Sequence, residues 1–441
     1  MSVVIEQPRH FCALGAQQTV LAIERAVPII HAGPGCSSKL FGGLSFCNGY
    51  QGSGFAGGSA IPCTNATEKE VVFGGEQRLE ELIEETLRVM DGDLFVVLTG
   101  CTSDIVGDDV GRVAREFRDR GLPVAYAETG GFKGSSYLGH ELVVQAIIEQ
   151  ILEPAADAVN EKLVNIWSVV PYLDPFWSGN LEEIKNIVEG LGLEANILFG
   201  PGSGGIEAWR RIPSASCNIL LSPWVGLKTV QLLKESFGTP YLHYPVLPIG
   251  ASETSRFLRI LSETLELDES RVEDYIARQE AYFYHYLERA ADFLLEFRYD
   301  LPGRFFVISD SFYALGVSRF LVNDLGLLPG HQFITDDTPE EHQQKIIAEF
   351  ERLGPKVSSG VTFSPDGGQI KKELREFNHQ FQPLIIGSTW DKDIASELNG
   401  FQLSLGLPVT DRLVLDRSYV GYRGGLRLTE DIYAAVLGSY Q

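Results

Sequence analysis

The sequence predicts an α/β protein of three units, each a parallel sheet covered by helices on both faces. Short β-rich runs ending in Gly, Pro or Ser alternate along the chain with amphipathic helical patterns, the order that builds parallel sheets. The 441 residues amount to about three domains at ~150 residues each, enough for several buried cores. The alternation divides at roughly 1–160, 161–300 and 301–441, with no low-complexity tail and no strong internal repeat.

In the first unit the strand candidates are Val27–Gly33, Leu94–Gly100 and Leu122–Glu128, apolar runs of strand length. A helical pattern at Ala16–Ala26 precedes them. Glu80–Met90, Val110–Arg120 and Leu138–Leu152 space apolar residues three and four apart, as a half-buried helix requires. The second unit has strands at Val164–Val170, Glu194–Gly200 and Asn218–Pro223, and helices at Leu181–Leu191 and Lys228–Phe237. Glu269–Phe297, rich in Tyr and Phe, reads as one long helix bridging to the third unit. There, strands at Arg304–Asp310, Gln332–Asp336 and Gln382–Ser388 alternate with helices at Pro339–Leu353 and Gln369–Asn378. Leu40 to Thr67 carries no charge over 28 residues, yet its seven glycines among Ser, Asn and Gln make neither a membrane span nor a good helix. It reads as a long irregular loop, and such loops tend to be functional or disordered.

Composition excludes several classes. A net charge of −23, from 36 basic and 59 acidic residues, opposes binding to nucleic acid or anionic membrane. MSVVIEQPRHF has no basic-then-apolar signal pattern, so a cytoplasmic protein is expected. Six cysteines with no CxxC pair are too few for a disulfide framework, leaving core residues or metal ligands.

Ligands of open parallel sheets collect beyond the carboxyl ends of the strands. Cys36 follows the first strand in HAGPGC and Cys101 ends VVLTGC, so both fall at one sheet edge. Cys12 lies just before a helix, where the dipole favours a thiolate. Gly33, Gly35 and Gly100 beside them let backbone approach a bulky group, and amides there can hydrogen-bond to sulfur. That arrangement suits an iron-sulfur cluster. Residue type and spacing alone leave the alternative of buried, ordinary cysteines open.

Several strings, in order, cover nearly the whole chain: CALGA from Cys12, VPIIHAGPGC ending at Cys36, EVVFGG from Glu70, LTGCTSDIVGDDV from Leu98, GLPVTDR from Gly406 and VGYRGGLRL from Val420. Together they resemble the component 1 proteins of nitrogenase and its relatives. The resemblance implies three Rossmann-like domains, the nitrogenase component 1 fold. It implies that Cys12, Cys36 and Cys101 hold a P-cluster (8Fe-7S) shared with an α-type subunit, in an α2β2 heterotetramer. Cys47, Cys63 and Cys217 match no ligand position and read as core residues. Ser222, in NILLSPWVGLKTVQLLKESFGTPYLHYP, stands where α-type chains place a cofactor-binding Cys, and no histidine follows His379. The chain therefore resembles the β-type subunit, with no catalytic residue of its own. It would relay electrons from an ATP-hydrolysing iron protein to an iron-sulfur metallocluster in the partner. Gly131, in TGGFKG, replaces a Ser of the best-known β chains. The short N-terminus, the glycine-rich loop and the α-like string GFKGSSYLGH point to a nitrogenase-like branch, methylthio-alkane reductase, which cleaves carbon-sulfur bonds of small thioethers. The alternatives are a β subunit of nitrogenase proper and a non-catalytic cofactor-assembly scaffold.

Phe73, followed by two glycines in VVFGG, matches an aromatic that the family uses for docking the iron protein; Glu68 and Glu70 flank it. Asp108 and Asp109 read as helix caps, His31 as a hydrogen-bonded core histidine, and His140 as a helix-start residue without chemistry. FGPGSGG around Gly202–Gly205 resembles a phosphate-binding turn, but no GxxxxGK[ST] string accompanies it.

Overall fold

The computed structural model describes residues 5–438 except 53, 57–59, 156–157, 298–301, 378 and 380. The first four residues of the N-terminal string, Gly57 and Gly58 of the uncharged segment, and Asn378 at the end of an expected helix lie outside the described residues.

The first unit runs α1 (Gln17–Ala22), β1 (Ala26–His31), α2 (Pro34–Phe46), α3 (Glu68–Phe73), α4 (Glu76–Val89), β2 (Leu94–Thr99), α5 (Cys101–Val106), α6 (Val110–Asp119), β3 (Val124–Ala127) and α7 (Ser136–Ile151). Its sheet has the order β1-β2-β3, all parallel, with every residue of β1 and β2 buried. Burial on both faces explains why these strands read as continuous apolar runs rather than alternating ones.

The second unit has β4 (Asn160–Trp167), α8 (Trp177–Glu189), β5 (Glu194–Asn196), α9 (Ile206–Arg210), β6 (Ala215–Leu221), α10 (Leu227–Phe237), β7 (Tyr241–Tyr244), α11 (Gly250–Thr264) and α12 (Glu269–Phe297). Its parallel sheet runs β5-β4-β6-β7. The third has β8 (Arg304–Ser309), α13 (Ser311–Asn323), β9 (Leu328–Pro329), β10 (Gln332–Ile334), α14 (Glu340–Phe350), β11 (Val361–Phe363), α15 (Gly367–Glu376), β12 (Leu384–Gly387), α16 (Lys392–Glu397), β13 (Phe401–Ser404) and α17 (Gly421–Gly438). Its sheet runs β11-β10-β8-β12-β13, with β9 beside β8. The α/β class with parallel sheets flanked by helices is as the alternation predicted. α17 packs back on α8, α11 and α12, tying the C-terminus to the second unit. No described helix is long and apolar enough to cross a membrane.

Two expectations change. The uncharged segment is not all loop, because Leu40 to Phe46 belongs to α2. A Cβ at Gly43 would lie 2.3 Å from the Phe11 ring, so glycine is kept in this helix by packing, against its propensity. The rest of the segment is anchored by isolated bridges, Asn48 to Val409 and Cys63 to Ile30. The helical pattern Ala16–Ala26 stops at Ala22, since Ala26 already pairs with Leu94 as the first residue of β1.

Candidate metal centre

β1 and β2 pair in register up to His31 opposite Thr99, so the chain leaves both strands at the same edge. After β1, Gly33 and Pro34 open α2, and Cys36 sits in its first turn. After β2, Gly100 precedes Cys101, the first residue of α5. A Cβ at Gly100 would lie 2.5 Å from the Ala32 Cβ, so packing of the two strand ends already dictates this glycine. At Gly33 a Cβ would meet only the Ala66 oxygen, at 3.8 Å, and at Gly35 nothing within 4 Å. The approach to Cys36 is open.

Cys12 reaches this edge from a different direction. It bridges Ser135, in the loop after β3, and the Phe11 carbonyl accepts the Ser136 N–H at 2.8 Å. The 3-10 turn Ala13–Ala16 that follows rests on α7 at Gly139, where a Cβ would come within 2.0 Å of the Ala13 oxygen. Only glycine allows that approach. Sequence reasoning missed this seat; the glycine four residues into a strongly apolar helix was the available signal.

Gly131 joins the set. Its N–H donates to the Cys101 Sγ at 3.1 Å. A Cβ at this position would lie 3.1 Å from the Cys101 Sγ and 3.3 Å from the Cys12 Sγ, so both sulfurs crowd one point. Any side chain at residue 131 would begin between them. Cys12 and Cys101 are exposed and Cys36 is partly buried. Burial pushes the Cys36 thiol up, and the sulfurs of Cys12, Cys101 and Cys63 push the same way. A bound metal reverses that balance by holding thiolates.

The donor set fits an iron-sulfur group: three thiols from three segments, an amide aimed at one sulfur, and a face open to a partner. Among the described residues no three His, Cys, Asp or Glu side chains close on a single ion. Of the cysteines read as core, Cys217 is buried, while Cys47 and Cys63 are partly buried. The Cys63 Sγ lies 3.6 Å from the Ala32 oxygen, near the same edge.

The expected docking aromatic sits beside this edge. α3 buries none of its residues; Val72 and Phe73 are 70% and 82% exposed. Thr67 and Glu70 close a capping box around its N-terminus, and the Thr67 donors hold the Glu70 carboxyl down at about 2. Asp109 caps α6, as expected, accepting the Arg112 N–H. Asp108 does not cap: its Oδ1 accepts the Gly75 N–H at 2.8 Å and its Oδ2 meets His31 Nε2 at 2.9 Å. It pins the turn behind Phe73 to the buried end of β1. His31, with Thr64 on its other nitrogen, has its pKa pushed down by burial. His140 is buried in α7 with Thr19 at 2.8 Å, its pKa pushed down to about 3 by desolvation. In the glycine turn, the Gly204 N–H donates to Glu24.

A family model described as nitrogenase component 1 type oxidoreductase matches residues 12–437. The chain belongs to the nitrogenase component 1 family. Among its relatives, the nitrogenase molybdenum-iron protein beta chain of Methanothermobacter thermautotrophicus is 27% identical, over 97% of this chain and 93% of the relative. The nitrogenase vanadium-iron protein beta chain of Trichormus variabilis is 23% identical, over 97% and 92%. A solved structure of nitrogenase Cp1 at pH 6.5 superposes on all of this chain and 95% of its own, with a TM-score of 0.82 at 22% identity, a likeness of fold. In this nitrogenase component 1 chain Ser222 is buried, and its hydroxyl accepts the Trp224 N–H at 3.2 Å.

Proposed function

We propose that this chain is the β-type electron-relay subunit of a nitrogenase-like two-component reductase. Its beta-chain relatives support the subunit type, and Ser222, its hydroxyl taken up by the local turn to Trp224, is consistent with it. Cys12, Cys36 and Cys101 would hold this chain's share of an 8Fe-7S P-cluster, the remaining ligands coming from an α-type subunit in an α2β2 heterotetramer. The observation that carries this is the convergence of three sequence-distant cysteines on one exposed sheet edge, two of them crowding Gly131. The bound cluster would supply one-electron storage and relay. The chain's own residues orient the thiols, donate the Gly131 amide to sulfur, and present Phe73 to an ATP-hydrolysing iron protein. We take domain divisions at 1–160, 161–300 and 301–441, a reading supported by one sheet in each, with Asn160, the first residue of β4, at the first boundary.

Within the family we favour methylthio-alkane reductase, on Gly131 and the glycine-rich segment after Cys36. The two relatives named above, beta chains of a molybdenum-iron and a vanadium-iron nitrogenase, support a nitrogenase proper as the second reading. Anaerobic purification with the partner, followed by iron and sulfide analysis, tests the cluster; an iron-free, folded complex rejects it. Assay of the complex with a matched iron protein then decides the substrate. Thioether cleavage is expected, and ammonia from dinitrogen without thioether cleavage rejects the branch.

A further inference from the structure

We propose that the turn Ser388–Asp391, in the third unit, is the positioning element for Cys12 and Cys36, with Arg9 as its main link. The proposal rests on reading those cysteines as ligands. The N-terminal segment starts on the third unit: the Gly367 N–H donates to the Glu6 oxygen at 2.8 Å, and the Glu6 N–H to Asp366 at 3.2 Å. Arg9 then inserts its guanidinium behind β12. Its two terminal nitrogens donate to the two Asp391 oxygens at 2.8 and 2.7 Å, with side chains only 1% and 0% exposed. Arg9 also reaches the Ser388 hydroxyl and lies 5.6 Å over the Trp390 ring. Three residues later the chain crosses to the first unit as Cys12.

The same turn grips α2 from its other end. The Thr389 N–H donates to the Pro408 oxygen at 2.9 Å, and the Thr389 hydroxyl accepts the Thr410 N–H at 2.8 Å. Between those two residues, the Val409 N–H donates to Cys47 at 2.7 Å and its carbonyl accepts the Gly49 N–H at 2.8 Å. Cys47 caps the C-terminus of α2, whose first turn holds Cys36. Cys101 is placed instead by first-unit contacts: Gly100 on His31, Ser103 on the His31 oxygen, and the Gly131 amide. Cys12 and Cys36 therefore carry a third-unit attachment in addition to their first-unit seats, whereas the contacts that place Cys101 are all within the first unit. Arg9 is the point where the link can be cut, because a buried bidentate pair tolerates neither a shorter nor an uncharged partner.

The test uses the full-length, reduced, metal-free chain and phenylarsine oxide. This reagent forms two As–S bonds with a close thiol pair and releases its oxygen as water, so its affinity reads the Cys12 to Cys101 spacing. Binding that is lost in Cys12→Ser and in Cys101→Ser, and kept in Cys36→Ser, assigns the pair. Arg9→Met is expected to weaken binding by about tenfold or more, a fraction of the full effect of breaking a buried ion pair. Arg9→Lys, which keeps the charge without the fork, should fall between and carries the test if Arg9→Met does not fold. Affinity within about twofold of the parent in the folded variants, with only a lower melting temperature, overturns the proposal by reducing Arg9 to a stability role. An iron-free native complex would reject the cluster reading while leaving this positioning result standing.

Discussion

Two carboxyl edges of parallel sheets in this molecule are treated in opposite ways. At the junction of the second and third units, the residues after β4, β6, β8 and β10 fill the space themselves. Trp224, Asp336, Asp310 and Tyr313 are all buried, as is Asp174. The Trp224 indole donates to Asp336 at 3.1 Å, and the Tyr313 hydroxyl donates to Asp174 at 3.0 Å. The Tyr313 N–H donates to Asp310 at 3.0 Å. At the edge of the first sheet, by contrast, the chain leaves Cys12, Cys101 and Phe73 outside. The same fold closes one ligand-collecting edge with its own side chains and leaves the other exposed. The closed junction should govern stability and the open edge should govern chemistry.

The largest effect that would break this contrast is at the junction. Trp224→Ala is expected to cost about 3–5 kcal/mol in chemical denaturation, the range for removing a buried Trp. A loss of under about 1 kcal/mol would mean the junction is not closed. The acids there give a second test. Burial raises the Asp174 and Asp310 carboxyls from 3.8 to about 7. Between those values the folded chain holds protons that the unfolded chain has released, so each contributes stability at low pH that is lost as pH rises, by up to roughly 1.4 kcal/mol per pH unit. His140, whose pKa is pushed down to about 3, runs the other way below 6.5, so the readout is variant against parent. Relative to the parent, Asp174→Asn should gain stability as pH rises from about 4 to 7 and no further above it. A pH-independent difference would remove Asp174 from the titration.

At the open edge the expectations invert. Phe73→Ala should change stability by no more than about 0.5 kcal/mol, since the ring is already in solvent, while lowering iron-protein-supported electron delivery by about tenfold. Unchanged delivery would leave Phe73 a surface residue only. The smallest effect belongs to Gly131→Ala. Its φ is not left-handed, and the nearest atoms a new Cβ would meet all belong to Cys101 and Cys12: the two sulfurs and the Cys12 Cβ. The fold should persist, and the electron paramagnetic resonance signal of the loaded complex should shift. An identical signal would separate residue 131 from the metal.

Much of this architecture was legible because parallel strands buried on both faces are written as uninterrupted apolar runs; AVPIIH and LFVVLT are β1 and β2. What escaped follows from tertiary packing. α13, SFYALGVSRFLVN, is buried all round and therefore shows no amphipathic period. α2 carries two adjacent glycines, one of them demanded by Phe11, and so reads as loop. β7, at the end of its sheet, is four residues long and carries no run that stands out. At the candidate centre the cysteines were legible through motif order. Their supports were not: Gly139 beneath the Cys12 turn, the Gly131 amide on Cys101, and Arg9 on Asp391 are contacts between residues tens to hundreds of positions apart. Asp108 beside Asp109 shows the same limit, since a capping residue and a cross-link to His31 look alike in sequence.

The central claim is that three cysteines of this chain hold iron jointly with a partner. It is tested most directly by counting iron in the anaerobically purified complex, parent against Cys12→Ala/Cys36→Ala/Cys101→Ala. A deficit of about eight irons per pair of unlike chains in the folded triple variant is expected, the content of a P-cluster. Equal iron in both complexes would contradict the claim.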